Sequence, residues 1–208
     1  MKRLPNRGGL AALAWIVLVL LVAACNSSTL EPLPPGSRII AFGDSLTYGV
    51  GTTRDKSYPA VLSGLTGLEV INAGVSGETT VEGLGRLERE LDKNQPDLLI
   101  LLEGGNDILR NHTLGETRAN LAAMIEMAKG RDISVVLLGV PEKKLFSNAA
   151  PIYEELAEEY QLVFDGSLVA SLLRNPSYKS DPIHLNSEGY RKLAESIHEL
   201  LIESGALY

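Results

Sequence analysis

From Arg38 onward the chain alternates short, near-continuous apolar runs with stretches of helical periodicity, and this alternation restricts the fold more than any other feature. The candidate strands are Arg38 to Phe42, Glu69 to Asn72, Leu98 to Leu102, Ser134 to Val140 and Leu162 to Phe164. Unbroken β-rich runs of this kind suit strands covered on both faces. The clearest helix between them runs from Thr80 to Lys93, with an apolar stripe of Val81, Leu84, Leu87 and Leu91 behind a Thr79 to Glu82 capping box. A second box, Thr113 to Glu116, opens a helix with Leu121, Met124, Ile125 and Ala128 on one face. The last helix starts near Asn186 or Ser187 and presents Tyr190, Leu193, Ala194, Ile197 and Leu201 to the core. Five strands alternating with helices predict an α/β protein in three layers, α/β/α, around an open five-stranded parallel sheet.

The first 36 residues read differently. Lys2, Arg3 and Arg7 precede an apolar run from Leu10 to Ala24, which closes on Leu21-Val22-Ala23-Ala24-Cys25 and gives way to polar Asn26-Ser27-Ser28. That is a basic segment, an apolar segment and a small-residue cleavage site, the three parts of a secretory signal. The ending resembles the lipobox of bacterial lipoprotein signals, which implies that Cys25 is acylated and becomes the first mature residue. An uncleaved anchor is the alternative, since Gly8 to Cys25 sits near the lower limit of about 17 to 25 residues for a membrane span. Either way the basic flank stays inside and the domain lies outside the cytoplasm. We therefore expect a signal peptide over 1–24, a tether over 25–36 made extended by Pro32, Pro34 and Pro35, and one folded domain over 37–208. Asn26 is not the aspartate that typically retains bacterial lipoproteins at the inner membrane, so an outer-membrane address is expected where the host has one.

Charge and cysteine content exclude several classes of function. The formal charge is −7, and it becomes −10 once Lys2, Arg3 and Arg7 are removed with the leader. Such a surface repels nucleic acid and anionic headgroups. Cys25 is the single cysteine, so no internal disulfide can form and no cysteine-based metal site is expected. We expect a monomer without metal or cofactor.

Polar residues gather where the strands end, the place where open α/β sheets put their ligands. Gly43-Asp44-Ser45-Leu46 follows the first strand, Gly74-Val75-Ser76-Gly77-Glu78 the second, and Gly104-Gly105-Asn106-Asp107 the third. Asp181-Pro182-Ile183-His184 precedes the last helix. Taken in order, these blocks resemble those of the GDSL esterases, or SGNH hydrolases, nearest to their bacterial thioesterase, lysophospholipase and arylesterase branch. The resemblance implies a flavodoxin-like strand order 2-1-3-4-5, a Ser45 nucleophile, and an oxyanion hole made of the Ser45 and Gly77 backbone N–H groups and the Asn106 amide. It also implies a small-molecule or lipid ester substrate.

The residues themselves point the same way. A serine hydroxyl needs a base within hydrogen-bond reach and a third group to orient that base. Of three histidines, His198 falls on the solvent side of the last helix, and His112 follows a turn with no acid evidently placed to orient it. His184 has Asp181 three residues earlier, a spacing that puts both side chains on one side of a helical turn. In the strand order that the resemblance implies, strand 5 lies three spacings, roughly 14 Å, from strand 1, so His184 must travel across the sheet. The segment from Asp165 to Asp181 could span on the order of 50 Å if extended. Glycine at position 77 suits a backbone donor that must approach a ligand closely.

Other chemistries fit less well. Gly-x-Ser-x-Gly is absent, since Leu46-Thr47 follow Ser45, which disfavours an ordinary α/β-hydrolase. Gly49-Val50-Gly51 lacks the third glycine of a dinucleotide loop, because Arg54 stands there, and no paired-histidine zinc motif occurs. Leu185 stands where the resembled family usually has proline, which should alter only the start of the last helix. Three functions stay open: an esterase or thioesterase for short to medium acyl, aryl or lysophospholipid esters, a polysaccharide O-deacetylase, and a non-catalytic binding lipoprotein. The few aromatic residues favour the first over the second. The loops Ile108 to Thr113 and Pro141 to Pro151 are expected to wall the pocket.

Overall fold

The computed structural model describes residues 28–143 and 147–208, so the leader and Cys25 lie outside the described residues. Five strands appear there: β1 (Arg38–Gly43), β2 (Glu69–Gly74), β3 (Leu98–Leu102), β4 (Ser134–Leu138) and β5 (Val163–Asp165). The helices are α1 (Ser45–Tyr48), α2 (Tyr58–Thr66), α3 (Thr80–Asn94), α4 (Gly105–Leu109), α5 (Leu114–Lys129), α6 (Pro151–Tyr160), α7 (Leu168–Arg174) and α8 (Ser187–Glu203). All strand pairings are parallel and the order is β2-β1-β3-β4-β5, as the resemblance implied. Helix α2 packs on α8 on one face of the sheet, and α3 packs on α5 on the other.

Burial follows the sheet order. Every residue of β3, Leu98 to Leu102, is buried, and β1 is buried from Ile39 to Gly43. A fully buried aliphatic side chain stabilises by about 1.5–3 kcal/mol, so these central strands anchor the core. Strand β2 is only half-buried because it is an edge, which the reading of five equally covered strands did not anticipate. Helix α5 buries Leu121, Met124, Ile125 and Ala128, and α8 buries Tyr190, Leu193, Ala194, Ile197 and Leu201, as their periodicity predicts. On α3 the buried positions are Thr80, Gly83, Leu87 and Leu91, while Val81 is 62% exposed. Val81 lies one position off that stripe, so it faces solvent rather than the sheet.

The expected tether is docked over much of its length. Leu30 N–H donates to the Ser204 carbonyl at 2.8 Å, and Leu33 N–H to the Ala206 carbonyl at 2.9 Å. Leu30 and Leu33 pack against the core, so apolar burial and two backbone hydrogen bonds hold a segment whose prolines alone suggested a free spacer.

Candidate active site

The site begins with how β1 ends. A Cβ on Gly43 would lie 1.9 Å from the Leu102 carbonyl oxygen, so only glycine lets β1 and β3 pass this closely. Asp44 then caps α1, its Oδ1 accepting from Leu46 N–H at 3.0 Å. Ser45 is therefore the first helical residue, and its N–H is among those a helix leaves without an internal partner. Burial pushes the Asp44 carboxyl up to about 6, against the opposing pull of the Leu46 N–H and of His184.

His184 reaches Ser45 from the loop before α8. Its Nε2 lies 3.0 Å from Ser45 Oγ, and its Nδ1 lies 2.7 Å from Asp181 Oδ2. An ionised carboxylate only accepts, so Nδ1 carries the proton and Nε2 offers its lone pair to the serine hydroxyl. Asp181 Oδ1 also accepts from the N–H groups of Ile183 and His184, both at 2.9 Å, which fixes the turn that aims the imidazole. Partial burial raises the Asp181 carboxyl, but these three hydrogen bonds outweigh it and hold the group below the usual carboxylate value. Leu185 is fully buried and forms a bridge with Lys179, which holds the chain just before the start of α8.

The oxyanion candidates are joined by a second network. Asn106 Nδ2 donates to the Glu78 carbonyl at 2.8 Å and approaches Asp44 Oδ2 at 3.4 Å, so it bridges the neighbours of Gly77 and Ser45. Gly77 has a φ of 83°, the left-handed region that explains glycine there, and its carbonyl accepts from Arg110 Nη2 at 2.8 Å. Behind this loop Arg86 binds both Glu78 oxygens, at 2.6 and 2.5 Å, and donates to the Ala73 carbonyl at 2.8 Å. Its guanidinium also lies 3.9 Å from the Phe42 ring centroid. Asp107 completes the link by accepting from Thr80 N–H at 2.9 Å and Thr80 Oγ1 at 2.7 Å. Glu103 is buried beside Asp44, Glu78 and Arg86, and burial raises its carboxyl well above the usual value, which favours the neutral acid.

One expectation about the histidines is corrected. His112 does have an acid nearby, with Nδ1 3.6 Å from Asp107 Oδ1, because the turn closed by His112 N–H on the Asp107 carbonyl folds it back. Asp107 is already committed to Thr80, and the pair does not include Ser45. His198 is half-buried and lines a groove with Pro32 to Gly36, far along α8 from His184.

Beside Ser45 opens a cavity of about 420 Å³. Its apolar wall includes Leu46, Ile108, Leu109, Val140, Leu173 and Ile183. The two loops expected to line it do so through Ile108, Leu109, Pro141 and Ser147, while Leu173 comes from α7, which the sequence reading did not single out. Among the described residues no cluster of three or more metal-ligating side chains occurs.

The GDSL-like Lipase/Acylhydrolase family model matches residues 41–192. The chain belongs to this family. It is 29% identical to an arylesterase of Vibrio mimicus over 177 residues, 80% of this chain and 88% of the relative. It is 32% identical over 145 residues to esterase TesA of Pseudomonas aeruginosa, covering 67% of this chain and 66% of that one. Among solved structures, the SGNH-hydrolase family esterase AlinE4 is 31% identical with a TM-score of 0.62, over 83% of this chain and 98% of that one. Family membership makes this GDSL/SGNH protein a carboxylic ester hydrolase.

Proposed function

We propose that the protein hydrolyses short to medium acyl, aryl or thioesters through an acyl-enzyme on Ser45. The observation that carries this reading is the linear array Ser45 Oγ, His184, Asp181, at 3.0 and 2.7 Å. His184 takes the Ser45 proton as Oγ attacks the ester carbonyl, then gives it to the leaving group, and Asp181 stabilises the imidazolium between the two steps. Ser45 N–H, Gly77 N–H and the Asn106 amide receive the developing oxyanion. Water repeats the attack on the acyl-enzyme with His184 again as base. The 420 Å³ cavity is of the size that seats small ligands, and its aliphatic wall of Leu46, Ile108, Leu109, Val140, Leu173 and Ile183 supports an acyl chain. Lysophospholipids fall within the same proposal. So do lipidation at Cys25 and residence in the cell envelope, on its periplasmic or extracellular side.

Ser45→Ala should fold and lose hydrolysis of p-nitrophenyl butyrate, and an organophosphate should label the wild type alone. Near wild-type turnover by the variant would remove Ser45 from the nucleophile's role. Rates on p-nitrophenyl acetate, butyrate, octanoate and palmitate should peak at butyrate or octanoate, whereas a sharp acetate preference with rapid deacetylation of xylan would indicate a polysaccharide deacetylase. Cys25→Ser should abolish incorporation of a fatty-acid probe, and equal labelling of both proteins would favour a plain anchor.

A further inference from the structure

We infer that the anchored enzyme draws its substrates from the aqueous phase and not from the bilayer that holds it, because the anchor and the cleft occupy opposite poles of the fold. This rests on the proposed lipidation of Cys25 and esterase activity. Two elements measure the separation. Strand β1 leaves the docked N-terminal segment at Arg38 and delivers Ser45 just past its far end, a rise of about 20 Å at 3.3 Å per residue. Helix α8 starts three residues after His184 and ends at Glu203, next to the Ser204 carbonyl that holds Leu30, a rise of about 25 Å at 1.5 Å per residue. Both place the docked segment at the pole opposite the triad.

The docking of Leu30 and Leu33 makes this separation matter. A free spacer over 25–36 would allow the domain to turn its cleft toward the membrane. Ser28 already lies in a groove with Glu154, Glu158 and Gln161 along α6 and just past it, and with Glu203 at the C-terminal end of α8. From Ser28 to Cys25 the chain can extend only about 11 Å, about half the distance between the poles. Tipping the domain sideways onto that flank would press Glu154, Glu158 and Glu203 against the headgroups, which an anionic surface opposes. The cleft therefore faces away from its own bilayer, toward soluble esters or a facing structure.

The single cysteine and the tryptophan content make this testable. Trp15 is the only tryptophan and lies in the leader, so the chain from Cys25 to Tyr208, which retains every described residue, has none. Coupled through Cys25 to a maleimide lipid in phosphatidylcholine vesicles with headgroup spin-labelled lipid, an Ile183→Trp variant reports on the cleft rim. A Leu65→Trp variant reports on the opposite pole, since both side chains are exposed. The tryptophan at 65 should be quenched at least twofold more than that at 183, and equal or stronger quenching at 183 would overturn the proposal. In the same vesicles, coupling should leave kcat/KM for p-nitrophenyl butyrate within about twofold of the uncoupled chain and give no gain on an ester lipid confined to the bilayer. A tenfold gain on that lipid would also overturn it. Quenching does not depend on turnover or on lipidation in the cell, so failure of either underlying reading shows separately in the Ser45 and Cys25 experiments.

Discussion

The side-chain amide of Asn106 donates to the backbone carbonyl of Glu78 at 2.8 Å, a contact that ties the end of β3 to the loop after β2. One amide hydrogen is held by this bond, so the side chain cannot flip its oxygen toward the site without losing it. Asn106→Ala should lower kcat by about 10² to 10³ with little change in KM, the loss that follows removal of one oxyanion donor. Asn106→Asp should do the same, because an ionised carboxylate has no proton to donate. Unchanged kcat in either variant would place the oxyanion elsewhere.

Arg86 and Glu78 form a buried ion pair behind that carbonyl. Removing one partner strands the other charge in the interior, so Arg86→Met should cost about 3–5 kcal/mol in urea unfolding. Adding Glu78→Gln should restore much of that stability, since no unpaired charge then remains. A double variant as unstable as Arg86→Met alone would show that the loss comes from the Ala73 carbonyl and the Phe42 ring instead.

These two networks mark the limit of what the sequence discloses. Strand β3 is legible because Leu98 to Leu102 is unbroken, and α5 and α8 because their stripes keep a 3.6-residue period. The contact between Ser45 and His184 is legible because a serine hydroxyl that is to act as a nucleophile needs a base within reach. Arg86 reads as an ordinary charge on the outer face of a helix, and nothing local shows that α3 carries it under the Gly43 and Ala73 carbonyls. The docking of Leu30 onto Ser204 is invisible for the same reason, since its partner lies 174 positions away. His112 looks unpaired in the sequence because Asp107 returns to it only through the turn after α4.

Asp44 should make the protein less stable as pH rises. Its folded-state carboxyl is pushed up to about 6 from an ordinary 3.8, so folding favours the protonated form. That contribution is full below about pH 4, is lost as pH rises through 6, and amounts to about 3 kcal/mol at 1.36 kcal/mol per pKa unit. Asp44→Asn keeps an acceptor for Leu46 N–H but sets a second amide against Asn106 Nδ2, which offsets part of the gain. The variant's stability relative to wild type should nevertheless climb between pH 4 and 7 in urea unfolding. A difference flat across that range would mean that Asp44 titrates normally.

Leu173 tests what the cavity is for. It projects from α7 into the 420 Å³ space beside Ser45, where tryptophan would take up room that an acyl chain needs. Each methylene buried in an apolar groove is worth about 0.8 kcal/mol, or roughly fourfold in kcat/KM. If the acyl chain lies there, Leu173→Trp should cut kcat/KM for p-nitrophenyl octanoate at least tenfold and leave acetate within about twofold, because acetyl ends before it meets the new ring. The preferred chain should shorten from butyrate or octanoate toward acetate. If the cavity instead receives the alcohol, the variant should slow p-nitrophenyl esters of every chain length alike and spare ethyl esters of the same acids. That outcome would assign the apolar wall to the leaving group and require the acyl chain to lie on the other side of Ser45.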